Sequence, residues 1–144
     1  VAEKIRRYFG DVKGMTFAIW GLAFKPGTDD VRESPAIALA ERLINWGAKV
    51  VGHDPQACET FKRDFGDREG MSYAESAYAA LKDVDAMLLV TEWSEYKRPN
   101  WEKLGAIMRR RVVFDFRNQY EAEALMSLGF HYECVGRPDS VRSL

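Results

Sequence analysis

Hydrophobic positions along this chain switch repeatedly between two spacings. Residues 16–20, Thr-Phe-Ala-Ile-Trp, form a compact apolar run between Gly14 and Gly21 and read as a first strand. Residues 21–34 are a long loop rich in Gly, Pro and Asp. Ser34-Pro35 then opens a helix, with a capping serine and a proline at the first helical position. Ala36, Leu39, Ala40, Leu43 and Ile44 fall at i, i+3, i+4, i+7 and i+8, one buried stripe, and Gly47 ends it. Lys49-Val-Val-Gly-His53 is a second strand, closed by Asp54-Pro55. Further along, the pattern predicts a polar helix over 56–65, a short strand over 71–73, a helix over 74–81 and a continuously apolar strand over 86–90. A helix over 101–108 capped by Asn100, a strand over 112–114, a helix over 121–128 ended by Gly129 and a strand over 130–135 complete it.

Strands that alternate with helices and are apolar throughout belong to a parallel sheet covered on both faces. The expected fold class is therefore α/β, a Rossmann-like, doubly wound open sheet, mainly parallel, with helices on both faces. Residues 1–9 read as the end of a helix, with Ile5, Tyr8 and Phe9 on one face and Gly10 as its stop. That face has no partner upstream. The expected organisation is thus the end of an interdomain linker helix over 1–14, one domain over 15–137, and a flexible tail over 138–144. The start at Val1, inside a helix, suggests a piece of something longer.

Composition narrows the class. A chain of 144 residues can bury a core without disulfide or metal staples. Twenty-one Lys and Arg against 22 Asp and Glu give a net charge of −1, which argues against a chain built to hold nucleic acid or an anionic membrane. The apolar runs are too short to span a bilayer, and residues 1–14 do not form a signal peptide. Cys58 and Cys134 are far apart, with no CxxC and no companion histidines, so no metal site is expected and a reduced, cytoplasmic setting is the default.

Candidate chemistry concentrates in the long loop. Ligands of doubly wound sheets lie beyond the carboxyl ends of the strands, and a strand–loop–helix junction can offer backbone N–H groups to an anion. The loop lacks the GxGxxG fingerprint of dinucleotide sites. Lys25 offers a point charge and Arg32 a planar fork. The alternative is that Asp29, Asp30, Arg32 and Glu33 pair among themselves to hold the loop, and for the three acids that is the better reading. Asp54 stands where a Rossmann acid would hold a ribose, but before Pro55 and a helix it reads as an N-cap. His53 and His131 read as strand-end residues, Arg109-Arg110-Arg111 as a solvated helix terminus. Trp93 and Trp101 either pack under a polar loop or wall a cleft.

The stretch from Gly21 to Pro35 resembles the GxxFKxxTDDxRESP signature of the UDP-glucose/GDP-mannose dehydrogenase family. Thr91-Glu92-Trp93 is similar to the TEW segment of its members acting on UDP-glucose. Asp115-Phe116-Arg117-Asn118, Leu128-Gly129-Phe130 and Val135-Gly136-Arg137 resemble the family's DGRN…LGF…GR ending. The resemblance implies the C-terminal, nucleotide-sugar-binding domain of an NAD-dependent enzyme that oxidises UDP-glucose to UDP-glucuronate. It implies substrate contacts from Phe24, Lys25 and Arg117, and a contact from Arg32 to NAD held mainly by an N-terminal domain. Phe116 departs from the family's Gly, next to Arg117. The family's catalytic cysteine lies in a GGxCxPKD-like segment, and neither Cys58 nor Cys134 has that context, so no catalytic residue is expected here. Expected partners are UDP-glucose and the N-terminal and central domains of the parent, itself a homodimer. A dehydrogenase of GDP-mannose or a UDP-N-acetylhexosamine, and a free-standing nucleotide-binding module, are the alternatives.

Overall fold

A computed structural model describes residues 2–134 and the backbone of residues 141–142. Among the described residues, seven strands form one sheet in the order β3-β2-β1-β4-β5-β6-β7. They are β1 (Thr16–Trp20), β2 (Lys49–His53), β3 (Met71–Tyr73), β4 (Ala86–Leu89), β5 (Val112–Asp115), β6 (His131–Cys134) and β7 (Val141–Arg142). The first six pair in parallel, and β7 pairs antiparallel to β6, with Glu133 opposite Val141. The expected flexible tail over 138–144 thus includes a short edge strand. Its other residues, and Arg137 of the GR pair, lie outside the described residues.

Among the described residues, five α-helices accompany the sheet: α1 (Ala2–Phe9), α2 (Pro35–Asn45), α3 (Cys58–Phe65), α4 (Trp101–Ile107) and α5 (Ala122–Met126). The Ser34 hydroxyl accepts from Ala36 N–H at the start of α2, and Asn100 accepts from Lys103 N–H at the start of α4. The chain runs outward from β1 to β3, then crosses back to β4 and runs outward to β6, the order that puts the helices of the two runs on opposite faces when parallel crossovers keep their usual right hand. The core strands β4 and β5 are buried at every residue.

Two expectations change. α1 is no bare linker: Ile5 is fully buried, and Phe9 packs edge-on against Phe17 at 5.7 Å and tilted against Phe114 at 6.3 Å. Tyr8 stacks on His131 at 3.9 Å, and Glu3 pairs with Arg42 of α2. The apolar face finds its partner downstream, within this domain. The helix expected over 74–81 is reduced to a single tight turn at Ala79–Leu81. The Trp20 indole N–H takes the Ala77 carbonyl at 2.9 Å, and the Ser76 hydroxyl takes Ala79 N–H, so local helical bonds are displaced.

Candidate functional site

The strand order reverses between β1 and β4, so the switch point of the sheet lies there. The register aligns the carboxyl ends, Trp20 with His53 and Leu89, and Leu89 with Asp115. The loop after β1 and the Thr91-Glu92-Trp93 segment after β4 therefore leave the sheet side by side. They touch at Gly21, whose φ is +101° and whose missing side chain leaves room for the Thr91 backbone.

Two buried aspartates organise this rim. Asp54, 5% exposed, directly follows β2. Its Oδ2 accepts from the N–H groups of Leu22 at 2.8 Å and Ala23 at 2.9 Å and from the Trp93 indole at 2.9 Å, while Oδ1 accepts from Gln56 and Ala57, each at 2.8 Å. Asp54 does cap the turn into α3, as expected, but it also ties the loop after β1 to the segment after β4. With both oxygens so engaged, it is not placed to hold a ribose. Asp115 ends β5 and accepts from the N–H groups of Arg117, Gln119 and Tyr120 and from the Tyr132 hydroxyl. Between them, the Tyr96 hydroxyl lies 2.7 Å from His53 Nδ1, and Tyr120 donates to the Tyr96 carbonyl. Burial raises both phenols far above their ordinary value and lowers His53.

This bracing alters the expected chemistry of the loop. The N–H groups of Gly21, Leu22, Ala23 and Phe24 are all spent internally, on His53, Asp54 and Asp30. Those four N–H groups therefore form no free cradle for an anion at the start of the loop, where the charge on offer is that of the side chains. Phe24 and Lys25 are exposed, with the Lys25 ammonium 5.4 Å from the Phe24 ring centre, and Lys25 makes no ion pair among the described residues. Phe24 lines one concavity together with Asp30, Arg32 and Glu33. Arg32, exposed, grips Asp30 through Nε at 3.0 Å and Nη2 at 2.7 Å. Hydrogen bonds from Arg32 hold the Asp30 carboxyl at about 2. The expected pairing among the loop acids is thus realised by Asp30 alone, while Asp29 accepts from Thr60.

Arg117 emerges on the same carboxyl rim, but beyond β5, with β4 between it and β1. Two strand spacings amount to about 10 Å. Its Nε and Nη2 both reach Glu92 Oε2 at 2.8 Å. The structure therefore groups Phe24 with Arg32 and sets Arg117 apart on Glu92. Phe116 does not disturb the turn: its φ is not positive and its ring packs on the core, whereas Asn118 takes the left-handed conformation. No local pattern marks Glu92 as the partner of Arg117, because the two lie 25 residues apart.

The other candidates settle into structural roles. Trp93 and Tyr96 are buried, and Trp101 packs edge-on against Tyr120 and Phe130. Arg109 and Arg110 follow α4 and stay exposed, as expected of a helix terminus, and they also pair with buried Asp85, at 3.6 Å and 3.4 Å. His131 bonds Glu133 at 3.0 Å. Cys134 is buried and Cys58 half-buried, with burial pushing the Cys58 thiol up. Among the described residues, no cluster of His, Cys, Asp or Glu could hold a metal, and no helix is long and apolar enough to cross a membrane.

A long loop leading from a strand to a helix at the switch point, with Phe-Lys and an Arg fork on it, matches a known sequence pattern: the UDP binding domain of UDP-glucose/GDP-mannose dehydrogenases fits residues 18–122. The chain belongs to the UDP-glucose/GDP-mannose dehydrogenase family. It is 38% identical over 130 residues to a UDP-glucose 6-dehydrogenase of Rhizobium meliloti, covering 90% of this chain and 29% of that protein. It is 40% identical over 132 residues to the UDP-glucose 6-dehydrogenase of Pseudomonas aeruginosa, again covering 90% of this chain and 29% of that one. Among solved structures, a UDP-glucose dehydrogenase of Pyrobaculum islandicum superposes with TM-score 0.69 at 33% identity, covering 83% of this chain and 25% of the other. The chain spans less than a third of these relatives and corresponds to the family's C-terminal, UDP-binding domain.

Proposed function

We propose that this chain is the nucleotide-sugar-binding part of a cytoplasmic, NAD-dependent UDP-glucose 6-dehydrogenase that works as a homodimer. The observation that carries it is Lys25, an exposed ammonium at the carboxyl end of β1, beside the switch point, with no carboxylate partner among the described residues. A pyrophosphate there would supply the missing counter-charge. Phe24 offers an exposed ring for the flat parts of the ligand. Arg117 contributes from the far side of the rim by exchanging Glu92 for the substrate. Arg32 keeps donors to spare beyond its bonds to Asp30, which fits an anionic group presented by a neighbouring domain, the role proposed for NAD. NAD, when bound, accepts hydride; the residues of this chain only bind and orient.

The test uses the full-length protein that carries this domain. Lys25→Ala is expected to weaken UDP-glucose binding by about tenfold to a hundredfold, the loss of one charge-assisted contact, with the melting temperature unchanged. Calorimetric titration with UDP-glucose, GDP-mannose and UDP-N-acetylglucosamine in parallel decides the sugar nucleotide. Equal affinity of wild type and Lys25→Ala would remove Lys25 from the site.

A further inference from the structure

We propose that Thr91 and Asp54 are positioning residues, which fix the take-off of the β1 loop and so set where Phe24 and Lys25 meet a nucleotide sugar. This rests on the reading of Phe24 and Lys25 as ligand contacts.

The residues between β1 and Phe24 are only three, Gly21, Leu22 and Ala23, and each is buried. They are held from two sides. From the β2 side, Asp54 accepts both the Leu22 and Ala23 N–H groups on one oxygen. From the β4 side, the Thr91 hydroxyl donates to the Ala23 carbonyl. Gly21 meanwhile lies flat against Thr91, where a Cβ would stand 2.5 Å from the Thr91 nitrogen. Phe24 N–H then closes onto the Asp30 carbonyl at 2.9 Å, so the pinned take-off passes directly into the exposed turn that displays Phe24 and Lys25. Neither Thr91 nor Asp54 is itself exposed, so neither is available to a ligand at the rim. Both act through the loop.

The two residues divide by chemistry. Only a carboxylate can accept the five donors that Asp54 serves, and Asp54 also anchors α3 and Trp93, so its loss reaches beyond the loop. Among the described residues, the Thr91 side chain makes one hydrogen bond, to the loop. Its replacement by Val keeps the shape and leaves the Ala23 carbonyl without that donor. A loop no longer held in place must be ordered when ligand binds, and that ordering weakens binding without altering the reacting groups.

The experiment compares wild type, Thr91→Val, Thr91→Ser and Lys25→Ala in the full-length protein. It measures UDP-glucose affinity by calorimetry, KM and kcat for NADH formation, and the melting temperature. Thr91→Val is expected to raise Kd and KM for UDP-glucose about fivefold to tenfold with kcat within about twofold of wild type. Thr91→Ser, which keeps the hydroxyl, is expected to restore both. Affinity in Thr91→Val within about twofold of wild type, or a Thr91→Ser variant as weak as Thr91→Val, overturns the proposal. If Lys25→Ala loses binding while Thr91→Val does not, the positioning role alone fails. If wild type does not bind UDP-glucose, the functional reading fails and takes this one with it.

Discussion

Gly21→Ala separates two costs that usually come together. Gly21 holds φ at +101°, and an added Cβ would meet the Thr91 nitrogen at 2.5 Å and its Cα at 2.7 Å. Those atoms are backbone in a buried segment and cannot rotate aside. Gly27, in the same loop, has φ at +88° but nothing within 4 Å of an added Cβ. Gly27→Ala therefore carries the conformational cost alone, about 1–2 kcal/mol, partly offset by a stiffer unfolded chain. Gly21→Ala adds the steric term, about 1–3 kcal/mol for forcing two packed backbones apart. The expected difference between the variants is thus about 2 kcal/mol, read from midpoints of urea denaturation at an unchanged slope. A gap under about 0.5 kcal/mol would show that β1 and β4 can part at their carboxyl ends at little cost, and would undo the account of a rigid rim.

Three further expectations follow from single observations. Ile5→Ala should destabilise the chain by about 2–4 kcal/mol, because Ile5 of α1 is fully buried; a near-neutral result in thermal unfolding would return α1 to the status of a linker. Burial lowers the pKa of His53 below 6.5, so the unfolded chain takes up the proton first as pH falls. Stability should decline from about pH 6.5 downward, at no more than about 1.4 kcal/mol per pH unit, and His53→Asn should flatten that slope in denaturation series. The isolated chain should form no NADH from UDP-glucose and NAD; turnover abolished by Cys58→Ser or Cys134→Ser would reassign a buried thiol to catalysis.

β1 and β2 occupy the residues that the apolar runs 16–20 and 49–53 predict, and α2 starts at the expected Ser34-Pro35 cap. These features are legible because their causes are local: side-chain spacing, a capping hydroxyl and a fixed proline φ act within a few residues. The loop motif was legible for the same reason, as a contiguous string. The pattern over 74–81 predicts a helix that does not form, because its competitor, the Trp20 indole, lies 57 residues away in sequence. α1 read as unpartnered because Phe17, Phe114 and His131 come to it only once the sheet has formed. The role of Asp54 was read in part: its capping bonds span two and three residues, while its bonds to Leu22, Ala23 and Trp93 span 31 to 39. The same holds for Arg117, whose partner Glu92 is 25 residues back and adjacent only because β4 and β5 lie side by side. Local pattern therefore determined which segments are strands and helices and which loop carries the chemistry. Which buried carboxylate holds that loop in place was decided by strand order, because only the parallel sheet brings the ends of β2, β1, β4 and β5 to one rim.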